Sequence, residues 1–268
     1  MLGFYMDDSA DSERKKVFSV AGFVGKADVW FDIEQEWNAR LERDGIDYFK
    51  TSDCINLKGE FERKLVDCHG MTTARVIADA ILRDLRKIVA RSPMYGYSLG
   101  VLMEDYRTVL AEPDGAIVLN PDPYIFAHHV LIGKVCDDVH ALPRDEVVAF
   151  LYDEHSKATL LKESWAGFKE QNPTWAQHAG TLAPLDDKTH APIQMADLLA
   201  HATTKVHLEL PTDPTAAQRR FKDWLGSNLM RTPYLDAKFL RLLVAHNIAR
   251  FRLLGAHNGL VPKLPPSR

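Results

Sequence analysis

The sequence predicts an α/β domain built on a mixed central sheet, and three observations carry that expectation. Two strand-like runs, residues 2–9 and 17–24, stand close together across a short polar connection and read as an antiparallel hairpin. A long stretch of helical periodicity follows, over about residues 28–91. Beyond it, strand-like and helix-like segments alternate, the pattern of strands covered by helices.

The first run, LGFYMDDS, is apolar and aromatic until it ends in Asp7, Asp8 and Ser9. In an α/β sheet, ligands meet the chain at such strand ends. A strand starting at residue 2 also leaves no room for a targeting segment ahead of it, so none is expected. After the second run, Asp28 stands where a helix cap would, and Val29, Trp30, Ile33, Trp37 and Leu41 recur at helical spacing until Gly45. Residues 48–53 read as an ordered loop. From 59 to 90, Phe61, Leu65, Ala74, Ile77, Ala78, Ile81, Leu82, Leu85 and Ile88 keep helical intervals, with a break near Gly70 and a stop enforced by Pro93. Residues 94–103 (MYGYSLGVLM) suggest a third strand whose two glycines allow a bend or a close approach. A loop-rich segment, 112–123, precedes a helix over 124–140. Residues 146–154 (EVVAFLYDE) repeat the form of the opening, a hydrophobic strand ending in acids. A helix over 157–171 follows, then a strand over 177–183 and a turn over 184–188. The next helix starts near Pro192, a residue suited to a first turn, and continues to Leu208. Helices over 216–229 and 235–254 and a proline-containing tail complete the chain. The expected organisation is an α/β domain over 1–208, with a basic helical extension over 209–268 packed on it.

At 268 residues and 46% hydrophobic composition the chain can bury a large core. No stretch approaches the ~18 consecutive apolar residues of a membrane span, so a cytoplasmic protein with no membrane partner is expected. Cys54, Cys68 and Cys136 are an odd number without a CxxC pair, which argues against a disulfide framework and against a cysteine zinc site. The net charge of −4 conceals an asymmetry. Residues 214–268 hold ten basic side chains against two acids, +8, which leaves −12 for the preceding 213. A basic segment on an acidic body suits a polyanion such as DNA or RNA, with Arg219, Arg220 and Arg250 as candidate contacts. A merely solvated basic helix face accounts for it equally well.

The chemistry-bearing residues lie in three separated segments. In the late helix, Gln194, Asp197 and His201 fall along one stripe, beside an apolar stripe of Met195, Leu198, Leu199, Ala202 and Val206. A carboxylate beside an apolar stripe is costly to bury without a partner. If the strands ending in Asp7 and Asp153 are parallel neighbours, their carboxylates converge, and a divalent ion would keep both ionised. Oxygen ligands favour Mg²⁺ or Mn²⁺ over zinc, and paired ions of this kind suit in-line phosphodiester cleavage.

The segments FYMDDS, FLYDEH and PLDDKTHAPIQMADLLAH resemble the bacterial and phage family catalogued as domain of unknown function 3800, whose members open with YxDES or YxDDS and close on a QxAD helix. That family in turn resembles the ribonuclease H-like superfamily. The resemblance covers about residues 2–205. It implies a ribonuclease H-like mixed sheet flanked by helices, and a metal site made by the first-strand acid Asp7, the fourth-strand acid Asp153 and the helical acid Asp197. Asp8, Ser9, Glu154, Gln194, His201 and Asp53 stand beside these as supporting candidates. Where the family often holds a histidine in the loop after its first helix, this chain has Lys50, with Asp53 after it. The activity so implied is a nuclease or phosphodiesterase using one or two Mg²⁺ or Mn²⁺ ions.

Bland readings compete with each residue. Asp7 could cap a turn with Ser9, Glu154 is placed as well as Asp153, and Asp197 could be a buried acid paired to an arginine. Asp186 and Asp187 suit a turn, and His128 and His129 cannot face one way on a helix. No HExxH, GxSxG, Walker or GxGxxG sequence occurs. The rival class is a non-catalytic nucleic-acid or partner-binding module. A receiver-type phospho-acceptor is weakened by the separation of Asp7 from Asp153 and by the lack of a DxD after the first strand.

Overall fold

A computed structural model describes residues 1–11, 13, 15–142, 145–154, 157–209 and 234–257, with the backbone alone at 158, 234 and 250–257. The chain is an α/β protein, and its sheet is mixed as the sequence led one to expect. Strands β1 (Leu2–Ala10), β2 (Val17–Lys26) and β3 (Tyr95–Leu102) form an antiparallel meander. β4 (Val148–Asp153) lies parallel to β1, and β5 (Ala179–Leu185) lies parallel to β4. A two-residue strand, β6 (Tyr234–Leu235), extends the other edge beside β3, giving the order β5-β4-β1-β2-β3-β6.

Helix α1 (Ala27–Glu42) buries Trp30, Ile33, Trp37 and Leu41. Helix α2 (Thr51–Asn56) corrects the expected loop over 48–53, because the chain turns helical at Thr51. Its end is sharp. Leu57 takes a left-handed φ of 50° and Gly59 a φ of +53°, where a Cβ would also come within 2.3 Å of the Asp53 carboxylate. The insertion continues through α3 (Gly59–Phe61), a π-helical turn at Glu62–Val66, α4 (Asp67–His69) and α5 (Met71–Arg91), with Gly70 at the break.

After β3 come α6 (Met103–Leu110), where the sequence suggested no element, and α7 (Pro113–Val118), inside the stretch read as loop. Both are short, too short for periodicity to reveal. Helix α8 (Pro123–His140) is capped by Asp122, whose carboxylate accepts the Tyr124 N–H at 2.8 Å. Helices α9 (Ala158–Gln171) and α10 (Pro173–Ala176) link β4 to β5, and α11 (Ala191–Glu209) follows. The last described helix is α12 (Ala237–His257). Leu240, Val244 and Ile248 of α12 join the core, the helix packs on α6 and α7, and Arg241 pairs with Glu112 at 2.6 Å.

Two apolar layers sandwich the sheet. Phe4, Met6, Val20, Leu99, Phe150 and Tyr152 pack against α8, α9 and α12. Ala21 and Phe23 pack against α1, α5 and α11. None of the described helices is long and apolar enough to cross a membrane.

Candidate acidic site

The site grows from the parallel pairing of β1 and β4. Met6 stands opposite Tyr152 in the last registered pair, so Asp7 and Asp153 follow side by side on neighbouring strands. Alternation settles the face. Met6 and Tyr152 point into the layer under α8, so Asp7 and Asp153 point to the α11 side. Asp7 is only 7% exposed and accepts the Asp8 N–H at 2.7 Å.

Helix α11 delivers Asp197 to that side, and buried contacts fix the helix on the sheet. The Ser19 hydroxyl donates to the Ala200 carbonyl at 3.0 Å and shares a short hydrogen bond with Thr204. Gly100 of β3 lets the His207 ring lie flat against the strand, since a Cβ there would fall 2.5 Å from the ring. Asp197 accepts the Thr51 N–H through Oδ2 at 2.7 Å.

The segment leading into α2 is held at three successive residues. The Phe49 N–H donates to Gln194 Oε1 at 3.1 Å, the Lys50 ammonium meets Asp187 Oδ2 at 3.2 Å, and Thr51 binds Asp197. Gln194 also accepts from Trp37 Nε1 at 2.8 Å and donates to the Asp187 carbonyl at 2.8 Å. Every one of these bonds ties α11 to α1, to the approach to α2 or to the β5–α11 turn. Gln194 is therefore a structural hub behind the site rather than a group facing it.

These residues border an open groove of about 810 Å³, with Asp7, Asp8, Asp153 and Asp197 on its wall together with Lys16, Lys50, Lys205, Ser9 and His201. Burial pushes the Asp7 carboxyl well above its usual range, and the charges of Asp197, Asp8 and Asp153 push it further, against the opposing hydrogen bond from Asp8. Asp197 is also raised by burial, with the Thr51 hydrogen bonds and Lys50 pulling it back. Burial alone would lower Lys50, but the carboxylates of Asp187, Asp197 and Asp7 outweigh it and hold the ammonium above its ordinary value. His201 is lowered to about 4 by burial and by the nearby cations Lys205 and Arg86, so its ring is neutral at pH 7. Its Nε2 is buried without a hydrogen-bond partner.

Of the residues singled out in the sequence, Asp7, Asp8, Ser9, Asp153, Asp197 and His201 come together at the groove. Glu154 does not; it is exposed, and its N–H continues the sheet by donating to Leu185 at 2.9 Å. Asp53 sits against Gly59 at the α2 terminus instead. Arg219 and Arg220 lie outside the described residues, as does the Arg250 side chain. The histidines read as unfit for zinc are spent locally, His128 on the Tyr124 carbonyl at 2.8 Å and His129 on Ser164 at 2.9 Å. Lys16 and Lys205 went unnoticed in the sequence. The second had a signal, because 197, 201 and 205 follow one helical stripe.

Among the described residues, no three or more His, Cys, Asp or Glu side chains stand close enough together to hold a metal ion as they are placed. The donors nonetheless suit a hard divalent cation, because they are carboxylates crowded enough to raise one another, a repulsion that such an ion relieves. Fold and groove together define an α/β protein with an acid-lined cleft at the end of its mixed sheet. No protein-family model and no curated protein sequence matches the chain.

Proposed function

We propose that this protein is a Mg²⁺- or Mn²⁺-dependent nuclease or related phosphodiesterase of ribonuclease H-like type, akin to the domain of unknown function 3800 family. The observation that carries the reading is the meeting of Asp7, Asp153 and Asp197 on one side of the sheet, the first-strand, fourth-strand and helical acids of the resemblance. Those three carboxylates would hold the ion, and Asp8 adds negative charge beside them. A bound Mg²⁺ or Mn²⁺ supplies the positive charge that favours in-line displacement at phosphorus. The chain's own cations serve the substrate. Lys16, Lys50 and Lys205 ring the acids and can hold the non-bridging oxygens of a phosphodiester in an otherwise repulsive groove.

The test is cleavage of a panel of single-stranded and duplex DNA and RNA in Mn²⁺, comparing the wild type with Asp7→Asn and Asp197→Asn, whose folding is checked by circular dichroism. Turnover by the wild type and background rates in both variants are expected. Absence of turnover on every substrate, or an Asp7→Asn protein as fast as the wild type, would remove the reading.

A second reading, a non-catalytic nucleic-acid-binding module of the same fold, is favoured by one observation. Lys50, paired with Asp187, already places a cation in the field of Asp197 and Asp7. It predicts salt-sensitive DNA or RNA binding that weakens on replacing Arg219, Arg220 or Arg250, with no turnover in any divalent ion.

A further inference from the structure

Of the three groove lysines, Lys50 is the one held beside Asp197. Its backbone is fixed, because Phe49 before it is bonded to Gln194 and Thr51 after it to Asp197. Its ammonium is fixed as well, at 3.2 Å from Asp187 Oδ2. The carboxylates bearing most on it are Asp187, Asp197 and Asp7. Asp153 approaches Asp7 from the opposite flank, across the β1–β4 pair. The acids therefore have two flanks on the wall of one groove: Asp153 beside Asp7 across the strand pair, and Asp197 on α11 with Lys50 near it.

We propose that Lys50 is a built-in counter-cation that takes the place of a second metal ion, so that Asp7, Asp153 and Asp197 accept a single divalent ion and Lys50, beside Asp197, serves as a positioning group for the phosphate. This rests on the metal-dependent reading above and sharpens it from one or two ions to one. The physical reason is electrostatic. Paired ions in two-metal sites stand about 3.5 to 4 Å apart and share a bridging carboxylate. An ammonium held between Asp187, Asp197 and Asp7 repels a dication from that flank and already neutralises part of the charge that would attract it. The Lys50 backbone is held on both sides, and its ammonium is paired with Asp187.

The experiment is a count of bound Mn²⁺ per chain by calorimetry and by electron paramagnetic resonance, without substrate, on the wild type, Lys50→Gln and Lys50→Arg. One ion is expected in the wild type and in Lys50→Arg, and two in Lys50→Gln. Melting in EDTA supplies an independent readout: Lys50→Gln should melt below the wild type, and Mn²⁺ should raise its melting temperature by more than it raises that of the wild type. Two ions in the wild type would overturn the inference even if Lys50→Gln failed to fold. One ion in a folded Lys50→Gln would overturn it too. No Mn²⁺ uptake by the wild type would fell the metal-dependent reading itself, and this inference with it, whereas two ions in the wild type would leave that reading standing.

Discussion

The two faces of the sheet are made by the same strands and are built in opposite ways. On the α8 side, Phe4, Met6, Phe150 and Tyr152 are 0–1% exposed, and Phe4 meets Phe150 edge-on with ring centroids 5.8 Å apart. On the α11 side the core is interrupted by polar groups: Ser19 against Thr204, Gln194 against Trp37, and finally Asp7 near Asp197. Buried polar groups cost stability unless each has a partner. Along α11 they are paired one after another until the end of β1, where hydrogen bonds remain but like charges crowd together. One face holds the molecule together, and the other gives up some stability to keep charge in place.

That contrast can be broken experimentally. The largest effect is expected on the apolar face, where Phe150→Ala should lower the unfolding free energy by about 3–5 kcal/mol, read by urea denaturation. A loss below about 1 kcal/mol would mean that this face is not the stabilising one. Next, Gly100→Ala forces a methyl group into the His207 ring, and a loss of about 1–3 kcal/mol is expected, with weakened Mn²⁺ binding because α11 shifts against β1. Unchanged metal affinity would show that the seat of α11 does not position Asp197.

Asp7→Asn should act in the opposite direction. The folded-state carboxyl lies above its unfolded value, so protonation favours the folded protein; that contribution is complete below about pH 4 and is lost as pH rises through the raised value. In EDTA, stability of the wild type should therefore fall more steeply between pH 4 and pH 8 than that of Asp7→Asn, leaving the variant the more stable protein at pH 8. Parallel stability curves would remove the claim that burial and like charge strain Asp7. The smallest change is expected from Arg241→Ala, which deletes a pair at the surface whose arginine is 52% exposed. The same denaturation assay should show a smaller loss than Phe150→Ala or Gly100→Ala, because the pair is exposed to solvent.

The sequence made the strands and long helices legible because their periodicity runs over many residues, as in α5 and α8. Asp7 and Asp153 were legible for a different reason, each ending an apolar run with abrupt polarity. The choice of Asp153 over Glu154 was not legible in the residues, because a shift of one position exchanges the faces. Only the Met6–Tyr152 register decides it. Gln194 was read with Asp197 because they share a stripe, yet three residues carry the side chain around the helix far enough to meet Trp37 and Phe49 instead. Helix α2 was hidden because Thr51 and Asp53 read as turn formers; the partner that fixes its first N–H, Asp197, is 146 residues away.

The central place of β1 has a consequence for how the chain is made. β2 covers one edge of β1 early, but the other edge waits for β4, whose pairing begins with Leu2 against Val148. Until the ribosome has passed that point, a nascent chain carries an open, apolar strand edge, a template for pairing with other chains. Chains stalled between β3 and β4 keep that edge unpaired by β4, and those completed through α11 are the first in which the acids can meet.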